Sequence, residues 1–153
     1  MTEKQKEIRS RAIFIDGEVP SSKNSKEIGF IFQKNTSESR VLVRTKGTLR
    51  PVRMTLNSSK ATKAYQKTRA ILYSAKKSEF KKISKNFEPP YRVVFSFVRK
   101  TKRKFDYINA AQIVQDMMVD HGWIEDDNCE FLIPYFEKWE HDKLNPGVYI
   151  SIF

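Results

Sequence analysis

Several features are scarce in this 153-residue sequence, and each scarcity excludes a class of protein. Cys129 is the only cysteine, which excludes an intrachain disulfide and fits a cytoplasmic compartment. No stretch reaches the ~18 apolar residues that a membrane-spanning helix needs. The N-terminus has no apolar run of signal-peptide length. We therefore predict a cytoplasmic protein that does not associate with membranes.

Acidic residues are scarce before residue 106 and frequent after it. Residues 1–105 contain 27 Lys and Arg against 8 Asp and Glu, whereas residues 106–153 contain 2 against 10. The net charge is +11 and the sequence pI is about 9.8. A basic excess of this size favours a polyanionic partner, most simply nucleic acid. A solvated surface of lysines and an anionic membrane are the alternatives.

The order of predicted elements indicates an α/β (α+β) fold with a mixed sheet and two main helices, in a single domain of residues 1–153. Residues 1–10 are polar and predicted to be flexible. A hairpin insertion is predicted at 28–44, with its arms at 28–32 and 40–44. It is either an arm that grips nucleic acid or a solvent-exposed ribbon. The other predicted strands are at 12–15, 91–98, 131–133 and 147–152.

Both helices have recognisable ends. The first follows the capping cluster at residues 57–59, continues to about Ser84 and is blocked by Pro89-Pro90. Its predicted inner face consists of Ala61, Ala64, Tyr65, Thr68, Leu72 and Ala75. The second helix is capped by Asp106, runs to about His121 and stops at Gly122. Its predicted inner face consists of Tyr107, Ala110, Ala111, Ile113, Val114, Met117 and Met118.

The second helix and its exit contain the acidic residues of greatest interest. Asp106 and Asn109 share a helix face, and Asp116 returns to that face about 15 Å farther along the axis. Asp126 and Asp127 follow the glycine stop. Converging carboxylates favour Mg²⁺, for which Mn²⁺ can substitute, and such a site serves phosphodiester hydrolysis. The alternative is structural: a cap, exposed helix acids and a turn.

The same stretch resembles a known signature. The run Lys104–Asn109 (KFDYIN), then Asp116, Gly122 and the pair Asp126-Asp127, resembles the motif of RusA-type Holliday junction resolvases. The early segment Val19–Asn24 (VPSSKN) is similar to the family's first-strand loop. The resemblance covers most of the chain and excludes the hairpin. It implies a Mg²⁺-dependent homodimeric endonuclease that cuts four-way DNA junctions during recombination and repair.

Carried over by position, the resemblance implies three sets of site residues. The implied catalytic residues are Asp106, Asp127 and Asn109, and the implied metal ligands are Asp106, Asp127, Asp126 and Asp116. The resemblance and the basic character of two loops together predict these DNA-binding residues: Arg99, Lys100, Lys102, Arg103, Lys104, Ser22, Lys23 and Asn24.

The chain departs from the family pattern at two positions. Ile108 stands where the family has its second aspartate, and Gln112 stands where it has a lysine. A two-residue shift would align Asp106 with the second aspartate instead, but it breaks the match of every downstream residue. Two other functions stay open: a catalytically weak or inactive nucleic-acid-binding protein with structural acids, and a protein–protein adaptor that uses the acidic C-terminal third.

Overall fold

The structure, a computed structural model, describes the backbone of residues 9–21, 26–32, 41–45 and 48–153, and the side chains of residues 9–21 and 59–153. The chain divides into two compact units, with boundaries at residues 23–24 and 60–61. The elements in chain order are β1 (Ile13–Asp16), β2 (Lys26–Phe32), β3 (Val41–Thr45), β4 (Thr48–Ser58), α1 (Lys60–Ser84), β5 (Tyr91–Arg99), α2 (Tyr107–Asp120), β6 (Leu132–Phe136), β7 (Glu140–His141) and β8 (Gly147–Ile152).

The larger unit contains a five-stranded mixed sheet and both helices, which confirms the predicted fold class. The strand order is β1-β8-β5-β6, and β7 also pairs with β5. Strand β5 runs antiparallel to β8 and parallel to β6 and β7. All residues from Val93 to Arg99 are buried, as expected of a strand covered on both faces. The predicted central strand is thereby confirmed.

Helix α1 has the predicted extent but a different inner face. Its 25 residues begin directly after Ser59. The buried residues are Thr62, Tyr65, Tyr73, Phe80 and Ser84, whereas Ala61, Ala64, Thr68 and Ala75 are exposed. An aromatic side chain removes far more apolar area from water than an alanine does. The helix is therefore oriented by its aromatic rings. The predicted face is confirmed at Tyr65 and, in part, at the half-buried Leu72, and it is wrong at the other four positions.

Helix α2 agrees with the prediction at both ends and on its buried face. Asp106 is its N-cap, and Gly122 follows it with a φ of 67°. The backbone N–H of Trp123 donates to the carbonyl of Met118 at 2.8 Å, which closes the last turn. Trp123 is fully buried, and its Nε1–H donates to the Tyr73 carbonyl at 2.7 Å. The exit of α2 is thus attached to α1.

The smaller unit corrects the predicted hairpin. Strands β2 and β3 form near the predicted arms, but each pairs antiparallel with β4, which lies between them. Ile28 lies opposite Leu56, and Val43 lies opposite Arg50. Strand β4 was not predicted. It contains Pro51, and proline lacks the backbone N–H that a central strand uses for pairing, so its sequence does not indicate a central strand.

The N-terminal segment is anchored at Arg9. Residues 1–8 of the predicted flexible segment lie outside the described residues. Arg9, however, forms an ion pair with Glu140 at 2.9 Å, and its guanidinium lies 4.4 Å from the centroid of the Tyr149 ring. These contacts place Arg9 beside β7 and β8, and the flexibility of residues 1–10 stays a prediction. Across the described ranges, no helix is long and apolar enough to cross a membrane.

The aromatic face of α1 can be tested by substitution. Phe80 is fully buried, with its ring 5.1 Å from that of Trp123, and we expect Phe80→Ala to lower the free energy of unfolding by about 3–5 kcal/mol. Ile71 lies on the same helix with its side chain 81% exposed, so Ile71→Ala is the matched control, with an expected change below about 0.5 kcal/mol. Urea unfolding measures the free energy of unfolding of both variants. Equal losses of stability in the two variants would contradict the assignment of the aromatic face of α1 as the buried one.

Candidate functional site

Asp106 is held at the start of α2 by its own hydrogen bonds. One carboxylate oxygen accepts from the backbone N–H of Ile108 at 3.0 Å, and the other accepts from the Asn109 amide at 3.2 Å. Asp106 and Asn109 are both half-buried. The two predicted residues are therefore in direct contact. A carboxylate also suits a helix N-terminus because of the positive end of the helix dipole.

An aromatic cluster fixes the segment on either side of Asp106. The rings of Phe105 and Tyr107 lie 4.8 Å apart, and both pack against Phe97 of β5. The Tyr107 hydroxyl accepts a hydrogen bond from the backbone N–H of Trp139 at 2.8 Å. The sequence analysis placed Tyr107 on the inner face of the helix but missed Phe105 on the other side of Asp106. The position of Asp106 is therefore set by packing as well as by capping.

A cavity of about 310 Å³ lies at the other end of α2. The residues that line it are Gln66, Asp116, Val119, Asp120 and Asp127. Asp116 and Asp127, two of the predicted metal ligands, thus line the same cavity. The structure adds Asp120, whose spacing of four residues from Asp116 was a usable signal. It also adds Gln66 from α1, for which the local sequence carries no signal.

Asp126 has a different environment from Asp127. Its carboxylate accepts from the backbone N–H of Asp127 and from the side-chain amide of Asn128, each at 2.7 Å. These bonds shape the turn that presents Asp127. Asp126 is exposed and is not among the residues that line the cavity. The geometry favours Asp127 over Asp126 as the residue facing a ligand.

The predicted metal ligands are separated by the length of α2. Asp106 precedes this 14-residue helix and Asp127 follows it, and ten residues of helix already span about 15 Å. Within the described ranges, no group of three or more His, Cys, Asp or Glu side chains is close enough to hold a metal ion. The carboxylates and amide of the cavity are nonetheless hard oxygen donors, and Mg²⁺ commonly uses only one or two carboxylates with waters and phosphate.

The two residues that depart from the family pattern lie on the outer side of α2. Ile108 is 71% exposed, although it is a large apolar residue. Gln112 is also exposed, one turn farther along the helix. Neither supplies a carboxylate or a cation beside Asp106.

The basic loop after β5 combines one buried cation with several exposed ones. Arg99 is only 9% exposed; its guanidinium donates to the Val19 carbonyl and lies 3.2 Å from a Glu18 oxygen. Burial lowers the pKa of Arg99, and Glu18 partly offsets that shift. The remaining predicted DNA-binding residues of the loop are exposed: Lys100, Lys102, Arg103 and Lys104. Arg99 therefore differs from them in being held inside the protein.

Glu18 joins the two predicted DNA-binding segments. Besides its ion pair with Arg99, its carboxylate accepts from the backbone N–H of Lys100 at 3.2 Å. The loop that begins the VPSSKN segment is therefore adjacent to the start of the basic loop. Ser22, Lys23 and Asn24 themselves lie outside the residues whose side chains the structure describes.

Comparison with known proteins adds no relative. No family model, no curated protein and no solved structure matches this chain. The likeness to RusA-type resolvases therefore rests on motif residues of the sequence alone: Val19–Asn24, Lys104–Asn109, Asp116, Gly122 and Asp126-Asp127.

The capping role of Asp106 can be separated from any chemical role. Alanine removes both acceptors, so we expect Asp106→Ala to lower the free energy of unfolding by about 1 kcal/mol. Asparagine caps a helix about as well as aspartate, so Asp106→Asn is expected to change the free energy of unfolding by less than about 0.5 kcal/mol. Urea unfolding of both variants beside wild type measures this. An asparagine variant as unstable as the alanine variant would argue against simple capping.

Proposed function

We propose that this chain is a Mg²⁺-dependent endodeoxyribonuclease that resolves four-way (Holliday) DNA junctions by paired nicks and acts as a homodimer. The observation that carries the proposal is the cavity at the end of α2. Asp116 and Asp127, which are separate in sequence, line one cavity of about 310 Å³ with Asp120. The family resemblance independently marks Asp127 and Asp116.

The charge distribution supports DNA as the substrate. The exposed cations of the basic loop can contact backbone phosphates, each contact releasing counterions from the DNA. Carboxylates alone would repel the same backbone. A divalent cation at the acidic cavity removes that repulsion where the strand must be cut. The basic chain and its acidic cavity are therefore compatible in a metal-dependent nuclease.

The residues around the cavity have distinct roles in this proposal. Asp127 and Asp116 would hold Mg²⁺, and the chemistry supplied by the bound ion would be polarisation of the scissile phosphate and a lowered pKa of a bound water. Gln66 would contribute an amide at the opposite wall, from α1. Asp126 would keep the turn in the conformation that presents Asp127, through its bond to that residue's backbone N–H.

Asp106 takes part only if a second chain is present. It lies at the opposite end of α2 from Asp127, so one chain cannot place both on one ion. In a symmetric dimer with antiparallel α2 helices, Asp106 of one protomer would approach Asp127 of its partner. The exposed Ile108 on that side of α2 would then be covered. Such a dimer would have two equivalent composite sites, each with Asp106 from one protomer and Asp127 from the other. Two sites match the two nicks that a four-way junction requires.

A non-catalytic nucleic-acid-binding protein is the second candidate. Two observations favour it: no three-residue metal-binding group exists among the described residues, and Ile108 and Gln112 replace the family's Asp and Lys. In that case the basic loop alone carries the function. Asp106 and Asp126 would serve only as the helix cap and the turn residue that their hydrogen bonds show.

Cleavage of an immobile four-way junction separates the two candidates. With Mg²⁺ we expect paired symmetric nicks in the junction and none in a linear duplex, and no cleavage in EDTA. Asp127→Asn and Asp106→Asn should each lower the rate by at least about a hundredfold, as expected when a group that stabilises transition-state charge is removed.

The matched control is Glu88→Gln, which neutralises an exposed carboxylate on the loop before β5 and should cut at the wild-type rate. Tight junction binding without nicks in Mg²⁺ or Mn²⁺ would establish the non-catalytic candidate instead. Full activity of Asp127→Asn would remove the acidic cavity from the mechanism.

Subunit mixing tests the composite site. Asp106→Asn and Asp127→Asn homodimers are each expected to be inactive. A heterodimer of the two keeps one intact pair, Asp106 from one protomer and Asp127 from the other. A randomly mixed sample should therefore regain about one quarter of the wild-type sites and make single nicks rather than paired ones. Gel analysis of both labelled strands measures this, and a mixture as inactive as its parents would exclude the composite site.

A further inference from the structure

A second cavity, of about 370 Å³, shares no lining residue with the acidic one. Its walls are the loop Gly17–Pro20 after β1, the first turns of α1, and Arg99 at the end of β5. Strands β1 and β5 are both antiparallel to β8 and hence parallel to each other. The cavity therefore lies at the carboxyl ends of two parallel strands, where α/β sheets commonly bind ligands.

Two arginines line this cavity, and each has a hydrogen-bond donor to spare. The Nε–H groups of Arg69 and Arg99 are buried and have no acceptor among the described residues. Arg99 uses its other nitrogens on Glu18 and on the Val19 carbonyl. A buried donor without an acceptor is unfavourable. Both Nε–H groups are closed to water in this structure, so a ligand in the cavity reaches them only when the arginine side chains turn toward it.

Gly17 allows one of these arginines to approach the loop backbone. Its φ is +94°, and a Cβ at this position would overlap the guanidinium of Arg69. Among the described residues, Arg69 is paired only loosely: its guanidinium lies 3.6 Å from a carboxylate oxygen of Asp16, whose side chain is 57% exposed. An exposed ion pair of this kind is weak. Much of the positive charge of Arg69 thus stays uncompensated.

Among the residues that line the cavity, Glu18 is the one that carries a negative charge. Tyr65 lines the cavity, and burial raises its pKa to about 12, so the hydroxyl stays neutral. The Thr68 hydroxyl donates to the Ala64 carbonyl at 2.8 Å. Glu18 supplies a carboxylate, but that carboxylate already accepts from Arg99 and from the backbone N–H of Lys100.

We propose that the cavity between Arg69 and Arg99 binds a phosphate group. Guanidinium groups form charge-assisted, often bidentate hydrogen bonds with phosphate oxygens. The inference rests on the proposed function only for the source of that phosphate, the backbone of the DNA substrate. Through Glu18 the cavity adjoins Lys100, so a strand held here would continue along the exposed basic loop. A free nucleotide would present the same chemistry.

Arginine side-chain NMR tests the proposal on the full chain. In ¹⁵N-labelled protein with EDTA present, inorganic phosphate is titrated while the Nε–Hε signals are recorded. The signals of Arg69 and Arg99 should shift and saturate. Arg69→Gln should weaken phosphate binding by at least about tenfold, equivalent to about 1.4 kcal/mol. Arg92→Gln is the matched control, since Arg92 is exposed near the opposite end of β5, and it should bind as wild type does.

A second titration with duplex DNA, still in EDTA, identifies the source. Loss of the phosphate-induced shift when DNA is added supports a backbone phosphate. Phosphate shifts that DNA leaves unchanged support the cavity but assign it to a small phosphate compound. Shifts that never saturate, or equal weakening in Arg69→Gln and Arg92→Gln, would overturn the proposal.

These outcomes do not depend on cleavage. Because the titrations contain no divalent metal and read no nicking, a protein that fails to cut junctions can still pass this test, and an active nuclease can fail it. A thermal melt of Arg69→Gln establishes whether that variant folds. If the variant does not fold, saturation of the Arg69 and Arg99 signals in the wild-type titration decides whether the cavity binds phosphate.

Discussion

The contact of Trp123 with α1 is the interaction on which the candidate site depends. The indole is fully buried, bonds to the Tyr73 carbonyl at 2.7 Å and lies 5.1 Å from the Phe80 ring. It follows Gly122, whose left-handed backbone turns the chain out of α2. Four residues later the chain reaches Asp127, which meets Gln66 of α1 across the acidic cavity. This attachment holds the turn that carries Asp127 close to the last turns of α2.

Helix α2 is also a spacer of fixed length, and this constrains the chemistry. A 14-residue helix keeps its ends about 21 Å apart. Sequence proximity made Asp106, Asp116 and Asp127 look like one cluster, yet the helix divides them into a capped carboxylate at one end and a carboxylate-lined cavity at the other. This separation is compatible with the resemblance to dimeric resolvases only if the start of α2 in one protomer lies beside the end of α2 in its partner. The quaternary structure is thus part of the active-site hypothesis.

The success of prediction followed the kind of signal available. Strand β5 and helix α2 were recoverable because an apolar run, an N-cap and a stop glycine are local features. The buried face of α1 and the pairing of β2 with β4 could not be predicted in this way. Both depend on contacts with residues distant in sequence, which bury the aromatic rings of α1 and select the strand beside β2. In the site, the Asp106–Asn109 contact was predictable from helical spacing. Gln66 was not, because it joins Asp127 only through tertiary packing.

Charge counting alone misjudges which cations are available for the DNA contacts of the proposed function. Arg99 belongs to the most basic stretch of the chain, yet Glu18 compensates its charge and the Phe105 ring lies 4.8 Å from its guanidinium carbon. A cation that is already paired inside the protein releases no counterion when DNA arrives. The salt dependence of binding should therefore come from the exposed cations that follow it. What Arg99 offers a ligand is geometry: it anchors the Glu18 loop beside Lys100 and places a spare donor near the loosely paired Arg69.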